Sequence, residues 1–398
     1  MSSGDRMSPA ELRAAISLSS IFGLRLLGMF VILPVFAIYA EGLPGGNDLT
    51  LVGIAIGIYG FTQACLQIPF GWWSDRYGRK PVIYIGLAIF AAGSFIAALG
   101  INIWVVILGR MLQGAGAVSA AVMAMTADLT RDEHRTKAMA MIGSTIGAAF
   151  AGSLVLSPWL NRVIGVPGIF ALTGVLVLAA IVVMYAVVPD VPERPRRARA
   201  AGSVLFMAVL RDPQLARLNY GVFALHAVLM ALFIAVPLDL RGAGLAVDNH
   251  WQVYLPVMAA SFLLMLPAVL GSGTAQRIRA VLLGSIALLL LDHLVMPWLS
   301  GGVWSLAVLL VVFFTPFNVL EAVLPAQVSR LAAGESRGMA IGVFASLQFF
   351  GAFCGAAAGG YLYERWATAG VVIFNAVLLV IWLMLAAGTR AGAARDLK

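Results

Sequence analysis

The sequence predicts an all-α polytopic membrane protein: twelve transmembrane helices in two pseudo-symmetric six-helix bundles. Three observations carry that prediction. Of 398 residues, 61% are hydrophobic and only 11% charged, whereas a soluble domain has about a quarter of its residues charged. Apolar runs of about 20 residues, each long enough to cross a bilayer as a helix, recur along the whole chain. The stretch 190–213, DVPERPRRARAAGSVLFMAVLRDP, interrupts the hydropathy with prolines and arginines and divides those runs six and six.

The predicted helices lie at about 14–40, 49–70, 81–99, 103–128, 137–160 and 167–189, then 214–240, 250–271, 279–297, 303–329, 338–362 and 368–388. They define an N-terminal bundle over 14–189, a linker over 190–213 and a C-terminal bundle over 214–388. The leading MSSGDRMSPAELRA is short and charged. The run behind it is long and has no small-residue cleavage site, which predicts a retained first helix rather than a signal peptide. An even number of spans puts both termini on one side. Of the 26 Lys and Arg residues, twenty-one fall in segments on that side and three (Arg162, Arg241 and Arg365) on the other, while Arg25 and Arg110 lie inside helices. The positive-inside rule then makes both termini cytoplasmic. The net charge of +8 therefore reads as topology, with anionic lipid as its partner and no nucleic acid. Cys65 and Cys354 lie in apolar runs and read as packing residues, with no disulfide framework or metal cluster.

The two halves echo each other. GWWSDRYGRK at 71 occupies the place of GSGTAQRIRA at 271, and KAMAMIGS at 137 that of RGMAIGVFAS at 337. Agreement on one spacing indicates duplication. Paired repeats about an axis normal to the membrane are an architecture of secondary transporters, with the substrate site near the midplane.

The first of those segments is also the densest charge cluster between apolar runs. Gly71-Trp-Trp-Ser-Asp75-Arg76-Tyr-Gly78-Arg79-Lys80 resembles the signature loop of the major facilitator superfamily, Gly-x-x-x-Asp-Arg-x-Gly-Arg-Arg/Lys, at every fixed position. With the twelve helices and the six-plus-six division, the resemblance covers roughly residues 14–388. Arg110-Met-Leu-Gln113-Gly114-Ala-Gly116 resembles a second motif, common in the drug/proton antiporter branch. The third motif of that branch is not kept: Gly143, Gly147 and Gly152 are present, but Pro158 follows Ser157 near the far end of the helix.

The resemblance implies rocking of two bundles around a central site, and a conformational latch made of Asp75, Arg76, Gly78, Arg79, Lys80 and Asp128. In the superfamily the aspartate faces the start of the eleventh helix, and the arginine four residues on pairs with an acid at the inner end of the fourth. Arg79 and Asp128 match that pair. The competing reading is a basic topology anchor, which needs Arg and Lys but neither Asp75 nor Gly78.

An ionisable residue at the bilayer centre costs about 3 kcal/mol or more and marks a functional site by default. Arg25 and Arg110 both belong to the N-terminal bundle, where they either line a cavity or brace a helix kink. Glu321, with Asn318 one turn away on the same face, and His226 belong to the C-terminal bundle. A proton-coupling group must be able to lose its charge, which arginine does not. Glu321 is the first candidate and His226 its competitor. Asp292 and His293 are expected at the hydrated outer end of the ninth helix, with Asp239 and His250 in the outer loops. Tyr59, Gln63 and Gln67 form a four-residue stripe that either lines a substrate pathway with Gln113 and Asn318 or bonds to a neighbouring helix. Gly53 and Gly57, Gly143 and Gly147, and Gly351, Gly355 and Gly359 are small-residue faces for close helix approach.

The expected function is proton-coupled export of a small amphipathic compound, as in the drug/proton antiporter branch, by a monomer in a bacterial inner membrane. No Gly-x-x-x-x-Gly-Lys-Ser/Thr loop is present, so ATP is not the energy source. No cofactor is expected, and no nucleophile–base constellation points to an enzyme. One alternative is a symporter or uniporter of a sugar or metabolite. Another is a non-transporting membrane sensor, for which short termini and a short linker leave no room for a signalling domain.

Overall fold

The structure is a computed structural model that describes residues 7–190, 202–271, 274–299, 301–332 and 336–388. Residues 191–201 of the predicted linker, residues 272 and 273 of the second-half echo, Arg6, and Arg390, Arg395 and Lys398 lie outside the described residues. The described chain is helical, and it divides into two compact units, Met1–Ala198 and Arg199–Lys398.

In the first unit α1 (Pro9–Phe30) starts at a capping box, in which the Ser8 hydroxyl accepts from the Glu11 N–H while Glu11 accepts from the Ser8 N–H. A break at Val31–Ile32 leads into α2 (Leu33–Ala40), whose Pro34 cannot donate to the preceding turn. α3 (Leu49–Tyr77) is capped by Asp48, and α4 (Arg79–Ala98) follows after Gly78 alone. The charged window is therefore not a loop: Asp75 and Arg76 sit in the last turn of α3, and Arg79 and Lys80 open α4. One residue suffices for the reversal because Gly78 takes φ 99°, a region that side chains disfavour. The predicted fourth helix divides into α5 (Ile103–Ala115) and α6 (Ser119–Asp128). α7 (Asp132–Ala186) completes the unit.

The second unit opens with a short helix inside the predicted linker, α8 (Gly202–Arg211). α9 (Pro213–Gly242) follows, capped by Asp212. α10 (Trp251–Leu270), α11 (Ala275–Leu299), α12 (Val303–Leu331) and α13 (Arg337–Ala387) complete it.

Among the described residues, ten segments have the length and hydropathy to cross a membrane. α7 and α13, at 55 and 51 residues, would run about 80 Å if straight, more than twice the bilayer core. Neither is straight. α7 turns at Gly165 (φ 66°) and α13 at Trp366 and Ala367 (φ 48°), so each supplies two passes and the total is twelve. The two bends fall at equivalent places in the two halves.

α9 and α13 pack in a close seam. A Cβ on Gly351, Gly355 or Gly359 would lie 2.2, 2.0 or 2.7 Å from the α9 backbone at Phe223, Ala227 and Ala231. The corresponding expectation fails in α7, where a Cβ on Gly143 or Gly147 would meet nothing within 4 Å. These two glycines make no close helix contact among the described residues. The outward faces carry side chains such as Leu270, Trp298 and Trp304, as lipid contact requires.

Candidate functional site

Three polar constellations stand out, two in the first unit and one in the second. The first joins the α3–α4 turn to the end of α6. Arg79 donates from Nη1 to Asp75 and to Ser74 Oγ (2.7 Å), and from Nε to Asp128 Oδ2 (3.0 Å). The expected Arg79–Asp128 pair is therefore made, and Asp75 lies on the same guanidinium. Lys80 Nζ is 2.9 Å from Asp190 Oδ1, and Arg76 lies over the Trp72 and Tyr77 rings. A contact absent from the sequence reading sits at the same end of the unit: Glu11 accepts from the backbone N–H, Nε and Nη2 of Arg131. Its signal was the Ser-x-x-Glu capping pattern, which identifies a helix start and says nothing of Arg131.

The second constellation is buried in the middle of the first unit. Arg25 donates to Ser119 Oγ (2.7 Å) and to Gln63 Oε1, and Gln63 Nε2 donates to Gln67 Oε1 (2.9 Å). Arg110 donates to Gln113 Oε1 (2.9 Å) and to the Ile56 carbonyl (3.3 Å), and Gln113 passes the chain on to Ser94 Oγ (2.8 Å). The two guanidinium carbons lie 5.8 and 5.0 Å from the Tyr59 ring centroid, within range of a cation–π attraction. Gly114 makes this possible, since a Cβ there would lie 2.2 Å from the Tyr59 carbonyl. Gln63 thus bonds to α1 and α6, while Gln67 bonds to Gln63 within α3. Among the described residues no carboxylate pairs with either arginine. Arg25 Nε, Arg110 Nε and Gln67 Nε2 are buried without an acceptor.

In the second unit the two rival proton candidates come together. His226 of α9 has Nδ1 3.1 Å from the Val222 carbonyl, so that nitrogen donates. Its Nε2 faces Gln348 Nε2 of α13 at 2.8 Å and Glu321 Oε1 of α12 at 3.4 Å. Nothing in the sequence marked Gln348. The amide of Asn318, one of the pathway candidates, donates to Ser261 Oγ of α10 (3.2 Å). Asp239 accepts from Tyr363 and Thr368. Asp292 and His293 are not hydrated as expected but buried inside the unit, at 4% and 0% exposure.

The sequence profile of the Major Facilitator Superfamily matches residues 18–332. The inner membrane transport protein YajR of Escherichia coli (strain K12) is 41% identical over 383 residues, covering 96% of this chain and 84% of that protein. The quinolone resistance protein NorA of Staphylococcus aureus (strain MSSA476) is 24% identical over 360 residues, 85% of this chain and 87% of that one. Among solved structures, a bacterial homologue of the human lysosomal transporter Spinster, inward-facing and occupied, superposes with a TM-score of 0.77 at 13% identity, covering 95% of this chain and 96% of that one.

Proposed function

The chain belongs to the major facilitator superfamily, and we propose that this multi-pass membrane transporter is a proton-coupled exporter of a small amphipathic compound. The observation that carries the coupling is the approach of Glu321 to His226 Nε2, 3.4 Å. With Nδ1 committed to a carbonyl, a proton arriving on Nε2 makes an imidazolium facing a carboxylate. When it leaves, the Gln348 amide donates to the bare nitrogen instead. The pair thereby exchanges one proton and swaps a hydrogen-bond partner from α12 to α13, a local change that a two-state transporter can read. One proton crossing a potential of 100 mV supplies about 2.3 kcal/mol, enough for a gradient of a few tens-fold.

The roles of the first unit belong to the same proposal. Arg25, Arg110, Gln63, Gln67 and Gln113 hold fixed positive charge and amides beside Tyr59, and Arg25 Nε, Arg110 Nε and Gln67 Nε2 are the donors left for a substrate's polar end. Asp75, Arg76, Gly78, Arg79, Lys80 and Asp128 act as the latch, with the two bundles at 14–189 and 214–388 and both termini in the cytoplasm. The export direction is supported by likeness to the quinolone resistance protein.

The test is transport by the purified chain in proteoliposomes, with a compound panel that includes quinolones, with and without an imposed pH gradient. Antiport driven by the gradient is the expected result. Co-transport with protons would overturn the export reading, and transport indifferent to pH would overturn the coupling.

A further inference from the structure

The second unit holds a second histidine in nearly the same setting as the first. His293 of α11 has Nδ1 2.8 Å from the Leu289 carbonyl, one helical turn back, as His226 has with Val222. Its Nε2 meets an amide of α13, Asn375 Nδ2, at 3.1 Å, as His226 meets Gln348. Each has a carboxyl close by: Asp292 Oδ2 is 3.9 Å from His293 Nδ1, and Glu321 Oε1 is 3.4 Å from His226 Nε2. Phenyl rings connect the two settings. His226 lies 6.1 Å from Phe317, His293 lies 5.8 Å from Phe313, and the two phenylalanines stack at 5.8 Å.

The difference between the settings lies in where a proton can go. Glu321 faces Nε2 of His226, the nitrogen whose lone pair is open to a proton. In the second setting that nitrogen faces no carboxylate among the described residues. The Asn375 NH2 also donates toward the Val228 carbonyl (3.5 Å), which can only accept. Its orientation is thereby set, and His293 Nε2 must accept. His293 is a neutral imidazole with both nitrogens engaged. Asp292 is then left 4% exposed, with Oδ1 buried and without a partner. Among the described residues the only approach to its Oδ2 is the 3.9 Å one from His293, too long for a hydrogen bond. No charged side chain of the neighbouring helices engages the pair among the described residues. Glu321 of α12 is turned to His226, Asp239 of α9 accepts from Tyr363 and Thr368, and α13 contributes the neutral Asn375. An isolated carboxylate in such surroundings carries a desolvation cost far larger than any contact here offsets.

We propose that Asp292 is a second proton-binding site of the C-terminal unit, carrying an exchangeable proton as a neutral carboxylic acid beside the His293–Asn375 pair. A proton from water adds to one carboxylate oxygen to form O–H, and the same proton returns to water on release. The site is separate from His226–Glu321, and its occupancy stands whether or not that pair drives transport.

Infrared difference spectroscopy of the full chain in lipid tests it, with pH stepped from acid to alkaline. The wild type is expected to show the C=O stretch of a protonated carboxyl that disappears on the alkaline side. Glu321→Gln should retain that band, Asp292→Asn should lose it, and an indicator dye should count one fewer proton released per chain in Asp292→Asn. An Asp292→Asn spectrum matching the wild type overturns the proposal, as does a band that never titrates. If Asp292→Asn does not fold, wild-type protein grown on carboxyl-13C aspartate gives the answer. A band that shifts with the label supports the site, and one that does not shift overturns it.

Discussion

The two units bury different polar chemistry in comparable apolar surroundings. The first places two guanidiniums against Tyr59, with glutamine and serine partners and no paired carboxylate among the described residues. The second pairs histidines with amides and carboxyls, and its described arginines lie toward helix ends. Arginine keeps its proton under all ordinary conditions, whereas histidine and carboxyl groups gain and lose theirs. One unit therefore holds permanent charge and the other charge that can vanish. A coupled transporter needs both, and the division predicts that damage to each unit will look different.

The largest expected effect is in the first unit. Hydrogen bonds to a charged group are worth about 1.5–3 kcal/mol each, so Arg110→Leu should lower transport about 100-fold at every pH. Arg110→Lys keeps the charge but not the planar fork and should fall about tenfold. Proteoliposome uptake of a compound identified in the panel reads both. Near-normal transport in Arg110→Leu would remove permanent charge from the comparison, and near-normal transport in Arg110→Lys would reduce it to charge without geometry.

In the second unit Glu321→Gln should behave otherwise. Uphill accumulation of a few tens-fold should collapse to equilibration, while downhill exchange persists and ceases to respond to pH. His226→Gln should do the same if the two share one proton. Should Glu321→Gln stay coupled while His226→Gln does not, the histidine alone is the carrier; should both stay coupled, the pair is not the coupling site.

Helix packing gives a third contrast. Gly355→Ala puts a methyl 2.0 Å from the Ala227 carbonyl, an overpacking that costs about 1–3 kcal/mol and pries apart the α9–α13 seam holding His226 and Gln348. Gly147→Ala meets nothing and should be neutral, or stabilise by up to about 1 kcal/mol through helix propensity. Thermal unfolding in detergent distinguishes them, and equal midpoints would mean the seam tolerates separation.

The smallest effect is at the charged turn. Arg79 and Asp128 are about one-fifth exposed, so solvent screens the pair and Arg79→Ala should cost only about 0.5–1 kcal/mol of stability. Its larger consequence should be altered cysteine accessibility at the ends of the bundles, as the latch requires. Unchanged accessibility in both Arg79→Ala and Asp75→Asn would leave only a topology anchor.

Much of this was legible before any coordinates. Arg25, Arg110, His226 and Glu321 stand out because an ionisable residue in an apolar run is costly, and the cost is visible in one dimension. Their partners are not visible in that way. Gln348, Ser94, Ser119 and Asn375 are uncharged residues of an ordinary kind, and each bonds to a residue many turns away along the chain. Asp292 and His293 read as interfacial from the sequence, because position along a helix gives depth but not which face is covered. Gly143 and Gly147 failed for the same reason: spacing defines a stripe, and only a neighbour can make it a seam.

By itself the sequence determined the fold class and the division into halves, because hydropathy, repeat spacing and motif are local properties of the chain, whereas only the structure showed the charged window as a one-residue turn at Gly78. Only the tertiary structure decided which polar groups meet. It put Glu321 and Gln348 beside His226, gave His293 an amide where His226 also has a carboxylate, and left Asp292 without a cation among the described residues. Helix rotation sets those pairings, and rotation follows from the packing of all neighbouring faces at once.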